Sequence, residues 1–352
     1  MIIPASGRMN ANQPQIIFPA EWQRQSGVLL TWPDAATDWN DQLEAVTACY
    51  VAIAREILKR EKLLVVCRNK RDVTEALAPF DPANVVFREM PVNDTWARDH
   101  GAISVIADGK PYLYDFAFNG WGLKFAANHD NQITRNLYER NAFRPEVGYK
   151  NMMHCVLEGG SIENDGCGTL LTTSRCLLSP NRNAYRDLTE ISDYLQLIFG
   201  AKRVLWLHHG LLQGDDTDGH IDTLARFCDP DTIAYVSCED KNDAHYEDFS
   251  LMEKELSQFT AQQGKPYRLI PLPMADAVVF NGERLPATYA NFLIINDAVL
   301  LPFYQSPKDA IARDRLQKAF PDRSIIGIDC LPLIRQHGSL HCVTMQFPEK
   351  FL

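Results

Sequence analysis

Four clusters of polar side chains interrupt the apolar pattern of this chain, and their types could support hydrolytic chemistry: residues 96–99, 158–160, 215–222 and 341–342. The third is the densest, with Asp215, Asp216, Asp218, His220 and Asp222 crowded ahead of an apolar stretch. If His220 and Asp222 lie in a strand, their side chains point the same way, because alternate residues share a face. An imidazole and a carboxylate on one face can act as general acid or base beside a ligand anchor. A solvated acidic loop or part of a metal site would also fit this segment, although no second cluster of His ligands completes a metal shell. Cys342 follows Gly338-Ser339-Leu340-His341 and precedes Val343, which puts a thiol at the start of a C-terminal strand. Buried thiols are more often inert than reactive, and spacing alone does not separate Cys342 from Cys155 or Cys330. A candidate partner, His220, raises its standing as a nucleophile. Asp99 lies three residues after Trp96, and Glu158 precedes Gly159-Gly160, where missing side chains admit a ligand or another backbone.

Positioning such residues is the task of the intervening elements. Leu43, Val46, Tyr50, Ala54 and Ile57 recur at helical spacing and predict a helix over residues 41–60, followed by a buried strand at residues 63–67. Helices are also predicted over residues 183–199, 240–262 and 308–320. A unit of apolar stretch, polar turn and apolar stretch begins at residues 102, 161, 220 and 289, with turns at Asp108-Gly109, Asp165-Gly166, Asp229-Pro230 and Asn296-Asp297. A period near sixty with one hairpin per unit predicts a closed α/β repeat, the stretches 27–33 and 339–347 pairing to shut it. No low-complexity linker divides the chain.

Composition narrows the function classes. Net charge is −10 and no long run of Lys and Arg occurs, which argues against nucleic acid and suits a cationic small substrate. The nine cysteines are scattered without a CxxC pair, so neither a disulfide framework nor a structural zinc site is expected. Residues 1–19 lack a basic region followed by an apolar run, and no stretch has the length of a membrane span. A cytoplasmic protein that acts away from the membrane is expected.

Taken in order, the motifs resemble the guanidine-modifying pentein superfamily, and within it the agmatine deiminase branch with its peptidylarginine deiminase relatives. The resemblance spans nearly the whole chain: Phe18-Pro19-Ala20-Glu21-Trp22, Thr31-Trp32-Pro33, Trp96-Ala97-Arg98-Asp99, Phe118-Asn119-Gly120-Trp121-Gly122, Leu157-Glu158-Gly159-Gly160-Ser161, Asn181-Arg182-Asn183, Gly219-His220-Ile221-Asp222-Thr223, Tyr289-Ala290-Asn291-Phe292 and Gly338-Ser339-Leu340-His341-Cys342. It departs at Gly120, where alanine is more usual, and at Ser339-Leu340, in place of Asn-Ile.

The resemblance implies a single domain, residues 1–352, folded as a five-bladed α/β propeller with pseudo-fivefold symmetry and a central active site. It implies that Asp99 and Asp222 hold a guanidinium through paired charge-assisted hydrogen bonds. Cys342 would attack the guanidinium carbon, and His220 would protonate departing ammonia and then activate water. Glu158 would support His220, Trp96 would wall the substrate, and Asn291 would shape the site near the thiolate. Two carboxylates disfavour a nearby thiolate, so Cys342 is expected to ionise when a cationic substrate or protonated His220 is present. No cofactor and no metal are implied; the substrate is a small cationic guanidine and the assembly a homodimer. Agmatine is the expected substrate, with free or peptidyl arginine the alternative. Two other classes are a non-catalytic binding protein of the same fold, which would not need all five reactive residues, and a metallohydrolase, which a chelator would silence.

Overall fold

A computed structural model describes residues 14–352; residues 1–13, part of the segment read for a targeting signal, lie outside the described residues. The first long helix, Leu43–Leu58, buries Val46, Cys49, Tyr50, Ile53, Ala54 and Ile57, a stripe that returns every three or four residues. Residues 40–42, where the helix was predicted to begin, form a tighter 3₁₀ turn instead. The helix delivers the chain into strand Lys62–Cys67, whose last five residues are buried, parallel between Gln25–Thr31 and Val85–Glu89. A run this apolar is what a strand covered on both faces requires.

Among the described residues, five sheets of three or four strands follow one plan. An antiparallel pair is extended by a third strand parallel to its second member. The hairpins Ile103–Ala107 with Lys110–Ala117, Ile162–Asn164 with Thr169–Thr173, Ala225–Asp229 with Thr232–Ser237, and Leu293–Ile295 with Ala298–Phe303 fall where the turn signals predict. Asp108 and Gly109 both adopt positive φ, 49° and 76°, as a two-residue hairpin turn demands. Parallel partners are Gly148–Val156, Arg203–Leu207, Arg268–Pro273 and Ser324–Asp329. The fifth antiparallel pair joins the distant segments Gln25–Thr31 and Thr344–Pro348, with Val28 opposite Gln346. A small hairpin, Val279–Phe280 with Glu283–Arg284, stands outside this plan.

Two helix starts differ from prediction because polar side chains are used elsewhere. The helix expected from residue 183 runs Leu188–Phe199: Asp187 caps it by accepting from the Glu190 N–H at 3.0 Å, and Gly200 ends it at φ 65°. Asn183 instead pairs its amide with both the N–H and the carbonyl of Val156, at 3.0 and 2.7 Å. Residues 240–245 turn on the Asp240 and Asp243 carboxylates, so that helix is Tyr246–Gln258. The last expected helix spans Lys308–Gln317.

In every sheet, the connection entering the first strand of the antiparallel pair carries polar residues. Ala97–His100 precedes Ile103, Glu158–Ser161 precedes Ile162, His220–Thr223 precedes Ala225, Asn291 precedes Leu293, and Cys342 precedes Thr344. Among the described residues, no helix is long and apolar enough to cross a membrane.

Candidate active site

The five connections meet. A Cβ placed on Gly160 would stand 2.6 Å from His220 Nδ1, 3.0 Å from Asp222 Oδ2 and 3.0 Å from Asp99 Oδ1, so these three side chains converge on a spot that only a glycine leaves open. His220 and Asp222 are not in a strand as the sequence pattern suggested. His220 opens a 3₁₀ turn, Ile221–Thr223, and the strand begins at Ala225. Thr217 Oγ1 accepts from the His220 N–H at 3.1 Å, and Thr223 Oγ1 donates to the His220 carbonyl at 2.8 Å, which fixes the turn. It brings both side chains to the same place by a different local geometry.

Asn291 organises the thiol. Its Oδ1 accepts from the His341 N–H at 2.9 Å, the Cys342 N–H at 3.3 Å and the Cys342 Sγ at 3.4 Å, while its Nδ2 donates to the Asp222 carbonyl at 3.3 Å. The Arg98 N–H donates to the Cys342 carbonyl at 3.1 Å, tying the thiol turn to the Asp99 turn. Cys342 is only 6% exposed, and Asp222 and His220 are fully buried.

Trp96 is buried against Gly338, where an added Cβ would meet its ring at 2.0 Å, and it meets Trp121 edge-on at 6.4 Å. Trp121 Nε1 donates to Asp99 Oδ2 at 2.9 Å, and the Gly160 N–H donates to Asp99 Oδ1 at 3.0 Å. The Trp121 segment bends sharply, with φ of 68°, 55°, 85° and 68° at residues 120–123. At Gly120 a Cβ would lie 2.2 Å from the Phe125 carbonyl oxygen, so glycine lets the segment fold back on itself here.

Glu158 is fully buried, but its carboxylate does not hydrogen-bond His220. Both oxygens take the Arg182 Nε, at 2.8 and 3.0 Å, and Arg182 reaches on to Asp218 at 2.6 Å and the Thr217 carbonyl at 2.8 Å. The support expected from Glu158 therefore has no hydrogen bond behind it; its carboxylate lies within 4.8 Å of a His220 ring nitrogen, and its charge favours the imidazolium. The carboxylate nearest His220 is Asp99, 3.7 Å from Nδ1.

Behind these residues lies a layer of charge that sequence reasoning did not assign. His341 Nδ1 meets Asp222 Oδ2 at 2.8 Å, and its Nε2 meets Glu21 Oε2 at 2.8 Å. Arg226 pairs with Glu21 at 2.8 Å and with Glu163, and lies over the Phe292 ring at 4.7 Å. The available signals were a charged residue inside an apolar strand, Arg226, and an acid within the Phe18–Trp22 motif, Glu21. Nothing local paired Glu21 with His341.

Charge and burial set the protonation states. Burial, reinforced by Asp222 and Asp99, pushes the Cys342 thiol well above the usual range. Burial alone would depress His220, but Asp99, the Cys176 sulfur and Glu158 outweigh it and hold the imidazole well above its ordinary value. Burial raises Asp99 to about 6 against the pull of His220. Asp222 is also penalised by burial, yet His341, His220 and Arg226 hold it below the usual carboxylate range. Its Oδ1 has no hydrogen-bond partner. At neutral pH the site thus offers an imidazolium, a protonated thiol and acceptors directed at one point. A planar cation with several N–H donors would satisfy those acceptors and lower the cost of forming a thiolate.

A thiol, an imidazolium and two carboxylates so placed define a cysteine-dependent hydrolase site for a cationic amidine. The chain belongs to the Porphyromonas-type peptidyl-arginine deiminase family, whose profile it matches over residues 17–348. It is 55% identical to a Porphyromonas gingivalis protein whose crystal structure was described as that of a candidate arginine deiminase, covering 96% of this chain and 99% of that one, with a TM-score of 0.92. A substrate-bound agmatine deiminase of C. jejuni, a cysteine-to-serine variant, is 37% identical, covering 98% and 100%, with a TM-score of 0.90. A Marinomonas protein provisionally assigned as an agmatine deiminase is 33% identical over 351 residues, 95% of this chain and 94% of its own length.

Proposed function

We propose that this chain is an agmatine deiminase, hydrolysing agmatine to N-carbamoylputrescine and ammonia on the way to putrescine and polyamines. The observation that carries the reading is the convergence of Asp99, His220, Asp222 and Cys342 around Gly160 and Asn291. Asp99 and Asp222 orient the guanidinium. Cys342 Sγ, its proton released to solvent as the cation arrives, bonds to the guanidinium carbon. The C–N bond to one terminal nitrogen breaks, and the imidazolium of His220 gives that nitrogen its proton as ammonia leaves. The neutral His220 then takes a proton from water, whose oxygen attacks the thiouronium carbon. Collapse restores the thiol and releases the ureido product. Trp96 walls the substrate, Asn291 fixes the thiol, and Glu158 stabilises the imidazolium through space.

Two features support agmatine. The site is buried beneath Trp96, Trp121 and the bent segment 120–125, a setting that suits a small free substrate. The motifs at residues 118–122 and 181–183 resemble the agmatine branch. The second reading, deimination of free or peptidyl arginine, rests on the similarity to the P. gingivalis protein. We read residues 1–352 as one catalytic domain, a five-bladed α/β propeller with the site at its centre; the repeated strand plan and the pairing of Gln25–Thr31 with Thr344–Pro348 support this. A homodimer in the cytoplasm completes the proposal, and nine free thiols suit a reducing compartment.

Acid quenching during turnover of agmatine, followed by intact-mass and peptide analysis, tests the mechanism. A thiouronium adduct on Cys342 is expected; turnover with no adduct trapped on Cys342 at any quench time would refute covalent catalysis.

A further inference from the structure

A buried thiol adjoins the site and makes or breaks no bond in the mechanism. Cys176 Sγ, a ring nitrogen of His220 and a carboxylate oxygen of Glu158 lie within 4.8 Å of one another, all on buried residues. The sequence pattern offered no second cluster of ligands near His220, because Cys176 is forty-four positions away; the fold supplies it. Thr173 Oγ1 accepts from the Cys176 N–H at 3.3 Å and donates to the Gly219 carbonyl at 2.6 Å, so one hydroxyl clamps the Cys176 turn to the residue preceding His220.

Neither ring nitrogen of His220 has a hydrogen-bond partner, although the ring is buried. A thiol, an unpartnered imidazole and a carboxylate form a donor set that suits zinc and similar thiophilic divalent ions. Tetrahedral zinc, with bonds of about 2.0–2.3 Å, keeps its ligand atoms roughly 3.5 Å apart, so side-chain shifts of about 1 Å would close the trio. Arg182 holds Glu158 through both oxygens, and each oxygen keeps a second lone pair. Arg182 would then serve as an outer-shell partner orienting the carboxylate. Among the described residues, the other comparable trio, Glu21, Glu163 and His341, is already occupied by the Arg226 guanidinium, which pairs with both carboxylates and lies 3.0 Å from His341 Nε2.

We propose that Cys176, His220 and Glu158 form an inhibitory site for Zn²⁺ or a similarly thiophilic divalent ion. Binding releases two protons to solvent, the Cys176 thiol proton and one from the His220 imidazolium, and the ion completes its shell with water. With its ring nitrogen coordinated, His220 cannot deliver a proton to departing ammonia, so the site couples activity to free metal. The inhibitory part rests on the deiminase reading above; the binding part stands apart from it.

The test uses metal-free full-length protein. Zn²⁺ affinity is measured in competition with a chromophoric chelator, and Co²⁺ binding is followed by its thiolate charge-transfer absorption. The wild type should bind a single ion and show the band. Cys176→Ala should lose the band and bind zinc on the order of 10- to 100-fold more weakly. Cys176→Ser, which keeps the side-chain volume, should do the same, and circular dichroism should show both variants folded. Cys342→Ser should retain binding and band. Zinc should suppress ammonia release by the wild type, reversibly with chelator, and lower that of Cys176→Ala by a far smaller fraction of the variant's own metal-free rate at the same concentration. Absence of binding, binding unchanged in both Cys176 variants, or binding lost in Cys342→Ser would overturn the site. If metal-free protein turns over no guanidine, the deiminase reading fails, while the binding measurements still decide the site.

Discussion

Cys342 sits where a thiolate is hard to form: buried, with Asp99 and Asp222 as neighbours and its pKa well above the usual range. On the proposed mechanism, the same carboxylates that repel a thiolate attract a guanidinium, so the cation to be attacked also activates its attacker. A neutral alkylating agent brings no such charge. Iodoacetamide should therefore label Cys342 slowly at neutral pH and faster as the pH rises through the raised thiol pKa, whereas a cationic haloamidine should inactivate at neutral pH. The expected advantage of the cationic reagent is at least about tenfold, the equivalent of one pKa unit, and equal rates would remove substrate-assisted ionisation. Much of this site was legible in the chain: Asp99, Glu158, His220, Asp222 and Cys342 all stand in ordered motifs. Composition and spacing did not single out Cys342 from Cys155 or Cys330. What distinguishes it is the Asn291 amide oxygen 3.4 Å from its sulfur, a contact across 51 positions that no local pattern records.

At the scale of elements, the chemistry depends on turns rather than on the strands that follow them. Gly160 sets how closely His220, Asp222 and Asp99 approach one another. In Gly160→Ala the new methyl must push at least one of them aside, which should cost about 1–3 kcal/mol of stability. Displacing reacting groups by this much should lower kcat on the order of a hundredfold. Denaturant unfolding together with steady-state kinetics checks both, and an unimpaired kcat would show that the convergence at Gly160 does not set the rate. The hairpins were legible because their turns carry Asp, Asn and Gly, residues that reverse a chain by known local means. Helix starts at residues 183 and 240 were not, because Asn183, Asp240 and Asp243 hydrogen-bond outside the helices. His220 was misplaced into a strand for a related reason: the hydroxyls of Thr217 and Thr223 stabilise a turn that apolar periodicity does not reveal.

At the scale of the molecule, the strands Gln25–Thr31 and Thr344–Pro348 are paired, so the segment that carries Cys342 depends on a partner more than 300 residues away. Phe347 anchors this seam, fully buried, with Phe143 at 5.1 Å and Phe351 at 6.3 Å. Phe347→Ala should cost about 3–5 kcal/mol in urea unfolding, as other large-to-small core changes do, and a loss below about 1 kcal/mol would show the seam contributes little. Charge is also organised over the whole molecule: Glu21, Glu163, Arg226 and His341 come from four separate segments and form a buried network beneath Asp222. The near-sixty period announced the repeat, but the partners within that network follow only from the fold. The central claim, that the Cys342 thiol opens the guanidinium of agmatine, is tested most directly by ammonia release from agmatine, arginine and a peptidyl arginine by wild-type protein and Cys342→Ala. The account predicts agmatine turnover by the wild type and none by the variant; ammonia release that survives in Cys342→Ala, or that occurs with the arginyl substrates and not with agmatine, would contradict it.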